Sequence, residues 1–370
     1  MRFAFVIHPT SLEDVARYEP GAVGKGRPLI EKILEWMPAY AAVHVTGVRT
    51  PDGRRTEGWF VAAPFLPEQM LAQPREIVYA KILDAIRIGA ELGAEIVGLG
   101  AFSGVVGDAG VTLAERSPIP VTTGNSLTIA AGVASLLRGA REMEIEPAGA
   151  TAVVIGATGS IGSACVELLA PHVGHLVLVA RNRTRLERCA RDAAGRLPCG
   201  VSWTTDVDAA VPRGELVLTA TTSTQELIEP RLLRSGAVVC ELSIPHDVGR
   251  RVALERPDVL VTEGGNMRVP GTPRFERVRE RGRDFDLGLP AGTALACMSE
   301  TMVLALEERR ENYTLGRGID LAKVREIEAL AARAGFELAD MRAFDRAVTA
   351  EDVARVKAAA RARGSAALSR

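Results

Sequence analysis

The sequence predicts an α/β protein in three parts: an N-terminal α/β domain (1–147), a doubly wound parallel-sheet domain (148–290) and a C-terminal helical segment (291–370). Three observations carry that reading. From Thr151 to Val261, short β-branched apolar runs alternate with helical spacing, as in a parallel sheet wound by crossover helices. A glycine turn, Gly156-Ala-Thr-Gly159-Ser-Ile-Gly162, follows the first of those runs and opens a helix, which makes this domain Rossmann-like. After Pro290 the pattern is helical.

Size and composition agree. A chain of 370 residues makes roughly two domains and buries a core without help from disulfide or metal. Hydrophobic residues at 47% and charged residues at 25% exclude a largely disordered chain. The net charge of −1 offers no global attraction for nucleic acid, and none is expected as a partner.

Phe3–Ile7 is too short for the apolar core of a signal peptide. Ser117–Leu137 carries no charge, but its prolines, Ser/Thr residues and Asn125 argue for a buried loop and helix and against a membrane span. Five cysteines, an odd number with no CxxC, indicate free thiols in a reducing, cytoplasmic setting; no metal site is expected.

Taken in order, Ile77–Leu92 repeats apolar residues at helical spacing and Glu95–Leu99 reads as a short strand. A second helix is expected from Asn125 to about Glu144, and Glu146-Pro-Ala-Gly149 is turn chemistry that marks the domain boundary. In the middle domain Thr151–Ile155, Leu176–Val179, Glu215–Thr219, Gly236–Leu242 and Val259–Val261 are expected strands. Ser160–Leu169 and Arg185–Ala194 are expected helices. Thr293–Arg309, Leu321–Ala334 and Glu351–Arg363 read as helices of the last segment.

The glycine turn points to a dinucleotide. Glycines permit the sharp bend and let backbone N–H groups approach a pyrophosphate at the positive end of a helix, so Gly156, Thr158, Gly159, Ser160, Ile161 and Gly162 are candidate cofactor contacts. An NAD site normally carries Asp or Glu after the second strand. Here that strand runs into Arg181, Asn182 and Arg183, and two guanidiniums suit a 2′-phosphate, which selects NADPH. Ala220 and Thr221, in Thr219-Ala-Thr-Thr222, follow a strand at the sheet's carboxyl edge, where the nicotinamide half belongs; a plain turn is the alternative reading.

Of the cysteines, Cys165, Cys189, Cys199 and Cys240 read as structural. Cys297 follows Leu289-Pro-Ala-Gly292, with Thr293 as a cap, in or just after the first turn of an apolar helix. The helix dipole there favours thiolate. A nucleophile and a structural thiol both remain open on these features alone.

The chain resembles the long-chain acyl-[acyl-carrier-protein] reductases, which form fatty aldehydes. The matching segments are His8-Pro-Thr-Ser-Leu-Glu13, Phe65-Leu-Pro-Glu68, Lys81-Ile-Leu83, Gly98-Leu-Gly-Ala-Phe-Ser103, Thr122-Thr-Gly-Asn125, Gly156–Ser163, Ala180–Glu187, Ala296-Cys297 with Glu300, and Tyr313-Thr-Leu-Gly316. They run in one order over roughly residues 1–337. The resemblance implies an NADPH-dependent reductase of lipid metabolism that acts on an acyl carrier protein or coenzyme A thioester, with Cys297 as the acylated nucleophile. It also implies an aldehyde-consuming enzyme as a partner. His8, Phe102, Ser103 and Asn125 are candidate substrate-side residues. His8 alternatively only bonds locally, and Asn125 alternatively only caps its helix. Ser160 stands where the family carries Asp, and Leu127 where it carries His. The arginine-rich stretch Arg268–Arg283 reads either as a solvated loop or as a docking patch for an acidic carrier.

Two other readings remain. A shikimate-dehydrogenase-like oxidoreductase shares Asn182-Arg-Thr184 but needs a Lys–Asp pair, and the N-terminal region offers only Lys25, Lys32 and Lys81. A non-catalytic NADPH-binding sensor would need no reactive thiol.

Overall fold

The computed structural model of the chain describes residues 1–280 and 282–368. Its strands, in chain order, are β1 (Phe3–Ile7), β2 (Tyr40–Arg49), β3 (Arg55–Ala62), β4 (Ile96–Leu99), β5 (Val121–Thr122), β6 (Thr151–Ile155), β7 (His175–Val179), β8 (Gly200–Thr204), β9 (Leu216–Thr219), β10 (Val238–Glu241), β11 (Leu260–Glu263), β12 (Asn266–Arg268) and β13 (Gly271–Arg277). Two compact units emerge. One comprises residues 1–127 and 267–337, the other 128–266 and 338–370. Residues 291–337, read from the sequence as part of a separate helical segment, therefore belong with the N-terminal α/β residues, and the division between units falls inside the helix Asn125–Glu142.

The first unit is built on a mixed sheet in the order β13-β2-β3-β1-β4-β5. Strands β3, β1, β4 and β5 run parallel, whereas β2 and β13 are antiparallel additions. Successive side chains of β1 point to opposite faces, and each face has a helix to meet. Ala4, Val6, Val61, Val97 and Leu99 pack against Ile82, Ala85 and Ile86 of the helix Arg75–Glu91. On the other face Phe5 and Gly98 meet the helix Ala296–Leu306: a Cβ on Gly98 would lie 2.1 Å from Thr301 Oγ1.

The antiparallel strands depart from the sequence reading. Gly271–Arg277, expected as loop or docking patch, is an edge strand whose Phe275 ring packs 5.8 Å from that of Phe60. Its charges are largely spent locally. Arg274 pairs with Glu276, Arg277 and Arg283 with Glu280, and Arg279 lies over Tyr40. Arg281 lies outside the described residues.

The second unit is a doubly wound parallel sheet in the order β11-β10-β9-β6-β7-β8, a Rossmann-like arrangement. Its central strands are apolar at nearly every position because helices cover both faces. Val153, Val177, Val217, Val239 and Val261 share a core with Ala210, Val248 and Val252. On the other face Gly132 and Gly139 let their helix come against Leu242 and Val238. No helix among the described residues is long and apolar enough to cross a membrane.

One buried ion pair locks this unit. Arg256 and Asp258, with side chains 3% and 2% exposed, form a two-pronged bond at 2.8 Å, and Arg256 also donates to the carbonyls of Pro230 and Leu233. Burial pushes the Asp258 carboxyl up, but its bonds to Arg256 and Ser235 outweigh this and hold it below the ordinary carboxylate value. Asp258→Ala leaves the guanidinium buried and unpaired and should cost about 3 kcal/mol in urea unfolding. Because the folded value is lowered, this contribution is present above about pH 4 and fades as pH falls through the folded value.

Candidate functional site

In the first unit the site grows from one helix. Ala296–Leu306 is buried almost throughout, its polar Ser299, Glu300 and Thr301 included, and Cys297 alone among its residues is not fully buried. The helix begins later than its sequence pattern indicates. Thr293–Leu295 is a short strand, Leu295 is the N-cap without a side-chain bond, and Thr293 donates to Pro290 O instead of capping. Cys297 is thus the second helical residue.

The Thr122–Asn125 loop lies directly on it. Gly124 has a φ of +73°, and a Cβ there would stand 2.4 Å from both Cα and Cβ of Cys297, so only glycine permits this approach. Glu300, one turn beyond Cys297, holds the loop down. Its fully buried carboxylate accepts from Thr122 Oγ1 at 2.5 Å, Thr314 Oγ1 at 2.9 Å and the Leu127 N–H at 2.8 Å. The resemblance includes Glu300, but its role is visible only here: a carboxylate at this spacing on an apolar helix was the available signal. Burial raises its pKa, opposed by the Thr122, Leu127, Thr314 and Ser126 donors.

His8, Phe102 and Ser103 come together beside the loop. His8 bonds Pro9 O through Nδ1 at 2.9 Å, and its Nε2 accepts the Phe102 N–H at 2.9 Å. Both ring nitrogens are therefore committed to the backbone, and burial lowers the imidazole's pKa. In this arrangement His8 holds the turn Ala101–Gly104 and has no proton free for a substrate. Ser103 Oγ donates to Gly100 O at 2.7 Å, and a Cβ on Gly104 would lie 3.5 Å from Thr123, joining the turn to the loop on Cys297. Asn125 is 9% exposed and its side chain makes no hydrogen bond among the described residues, so it does not act as a side-chain cap.

The expectation of a thiolate at Cys297 is not met in this structure. Burial pushes the thiol up to about 12; the Met298 N–H at the helix start pulls it down, and the Glu300 charge adds to the rise. Desolvation outweighs the helix dipole. Cys165 is likewise pushed up to about 12 by burial, and Cys240 is raised for the same reason. What distinguishes Cys297 is its neighbours, not its acidity.

In the second unit the glycine turn forms a cradle. Gly156 has a φ of +90°, and a Cβ on it would come 2.2 Å from Ala220 O; a Cβ on Gly162 would come 2.2 Å from Gly156 O. Gly159 caps the helix Ser160–Leu169, with Thr158, Ser160 and Ile161 partly exposed around it. The close backbone and the open helix start fit a dinucleotide pyrophosphate. Asn182 does not face outward for a ligand: its side chain accepts the Arg185 N–H and caps the next helix. The two arginines differ. Arg183 pairs with Glu187 at 2.9 Å and lies over Trp203, whereas Arg181 is exposed and has no ion pair or hydrogen bond among the described residues.

No protein-family model matches the sequence. The chain is 31% identical over 373 residues to the aminotransferase PigE of a Serratia species, covering 96% of this chain but 42% of the relative. It thus spans less than half the length of that protein. It is 26% identical over 357 residues to the long-chain acyl-[acyl-carrier-protein] reductase of Synechococcus elongatus, covering 90% of this chain and 98% of the relative. Among solved structures, a dipicolinate synthase chain of Bacillus halodurans aligns over 51% of this chain and 61% of its own, at 12% identity and a TM-score of 0.32. The nucleotide-binding domain of Thermoplasma volcanium glutamyl-tRNA reductase aligns over 36% and 84%, at 17% identity and a TM-score of 0.26.

A thiol held near 12 stays protonated at neutral pH. Iodoacetamide labelling of Cys297, followed by peptide mass spectrometry, should therefore accelerate about tenfold per pH unit from pH 7 to 9 with no plateau. A plateau in this range would reveal an activated thiolate.

Proposed function

We propose that this protein reduces a fatty acyl thioester to an aldehyde, using NADPH and a covalent acyl group on Cys297. The observation that carries the reading is the junction at Cys297, the one incompletely buried residue of its helix, with Gly124 packed on it and Glu300 anchoring the loop. The similarity to the Synechococcus reductase supports the acyl class, and the glycine cradle supports the dinucleotide.

In this mechanism the Cys297 sulfur bonds the acyl carbon and the carbon–sulfur bond to the carrier breaks. The proton lost by Cys297 leaves on the departing thiol of acyl carrier protein or coenzyme A. Bound NADPH supplies the hydride that takes the acyl group to the aldehyde level. Release of the aldehyde breaks the bond to Cys297, whose sulfur regains a proton. Gly156, Gly159, Gly162, Ala220 and Thr221 would hold the dinucleotide, and Arg181 its 2′-phosphate. His8, Phe102, Ser103 and Asn125 belong to the acyl side, with His8 holding the turn and Asn125 offering a free amide. A cytoplasmic location and an aldehyde-consuming partner complete the proposal.

Neither a shikimate-type acid–base pair nor an aminotransferase lysine is favoured at Lys81. Burial lowers its ammonium to about 8, but Nζ spends its protons on the carbonyls of Leu34, Glu35 and Pro64. A passive sensor would leave the Cys297 arrangement without a use.

Incubation with acyl thioesters, without NADPH, should add one acyl mass to the intact protein. The adduct should vanish in Cys297→Ala and persist when Cys165, Cys189, Cys199 or Cys240 is replaced, while NADPH binding by Cys297→Ala stays nearly unchanged. An adduct surviving in Cys297→Ala would overturn the mechanism.

Cofactor choice should rest on Arg181 more than on Arg183, whose charge is already shared. Arg181→Ala should weaken NADPH by about 1.5–3 kcal/mol while leaving NADH nearly unaffected. Arg183→Ala should do less, as measured by fluorescence titration of both cofactors.

A further inference from the structure

At the carboxyl edge of the second sheet a polar network joins the glycine turn to an exposed histidine. Ala220, whose carbonyl crowds Gly156, is followed by Thr221, which donates through N to Ser243 Oγ at 2.8 Å and through Oγ1 to Asp247 Oδ1 at 2.7 Å. Ser243 also donates to Asp247. The next carboxylate, Glu241 at the end of β10, accepts the N–H groups of Asp247 and Val248 and bonds His246 Nδ1 at 2.9 Å. Glu241 is 3% exposed and the His246 side chain 60% exposed, so a buried acid grips one ring nitrogen of a side chain that remains open to solvent. Ligands of doubly wound sheets bind outside the carboxyl ends of the strands, at the switch in strand order, here between β6 and β9.

We infer that His246, gripped by Glu241, contacts the nicotinamide end of the bound dinucleotide and discriminates its reduced from its oxidised form. This rests on the dinucleotide reading given above. The nicotinamide ring is positively charged only when oxidised, so an imidazolium beside it repels NADP+ and tolerates NADPH. The charges around His246 favour its protonation. The bond to Glu241 raises its pKa most, burial opposes, and the Glu241, Glu263 and Asp345 charges add to the rise. Glu263 is paired with Arg342 and Asp345 with Arg250, while Asp247, raised to about 6 chiefly by burial, faces Ser243 and Thr221. Discrimination is therefore strongest at low pH and fades as pH rises through the His246 ionisation.

The test is the ratio of dissociation constants, Kd(NADP+)/Kd(NADPH), by calorimetry from pH 5.5 to 8.5, in which ionisation of the shared 2′-phosphate cancels. In the wild type the ratio should fall about tenfold across this range, and in His246→Gln, a change at an exposed side chain, the fall should be much smaller, leaving only the part due to Asp247 below about pH 7. NMR titration of the His246 ring should show its pKa lowered by NADP+ and not by NADPH. A flat ratio in the wild type, or the same slope in His246→Gln, would overturn the inference while leaving the dinucleotide reading intact. Failure of the wild type to bind either form at any pH would overturn both.

Discussion

The Glu300 carboxylate is the constraint around which the first unit's site is organised. It is fully buried, and its donors come from segments far apart in the chain: Thr122 on β5, the Leu127 N–H at the start of a helix, and Thr314 beyond the Glu300 helix. An ionisable group in such a place is tolerated only when its oxygens are satisfied, so the three segments are obliged to converge. That convergence brings the Thr122–Asn125 loop over Cys297 and makes glycine the required residue at 124. The thiol's local environment, including its suppressed acidity, follows from the same burial.

The second unit depends on a different kind of constraint, one of backbone proximity. The first turn after β6 passes close to the end of β9, and side chains at Gly156 or Gly162 would fill the space that brings these backbones together. Thr221, itself half-buried, then carries the order outward to Asp247, Ser243 and Glu241 through hydrogen bonds. Rigid polar networks of this kind fix side-chain direction well, which is what an edge that receives a charged ring would need.

The antiparallel half of the first sheet shows why some of the fold was not legible. β2 alternates weakly between buried and part-buried positions, and its partner β13 is an edge strand carrying Arg274, Glu276 and Arg277. Edge strands are commonly charged, and their pairing joins residues more than two hundred positions apart. Charge density therefore read as loop. The strand Gly200–Thr204, partly exposed along its length, was missed for a similar reason. By contrast the helix Arg75–Glu91 and the other strands of the second unit were legible because burial writes their period into neighbouring residues.

The sequence by itself determined the Rossmann-like class of the second unit, the glycine turn and the absence of a carboxylate after β7, because each is local chemistry within a few residues. It singled out Cys297 by its position at a helix start. Only the tertiary structure decided that residues 267–337 join the N-terminal unit, that Arg183 is shared with Glu187 and Trp203 while Arg181 is not, and that His8 has both nitrogens occupied. It also decided that burial raises the thiol's pKa, since desolvation depends on atoms brought in by distant segments, and a helix dipole read from sequence has no knowledge of them.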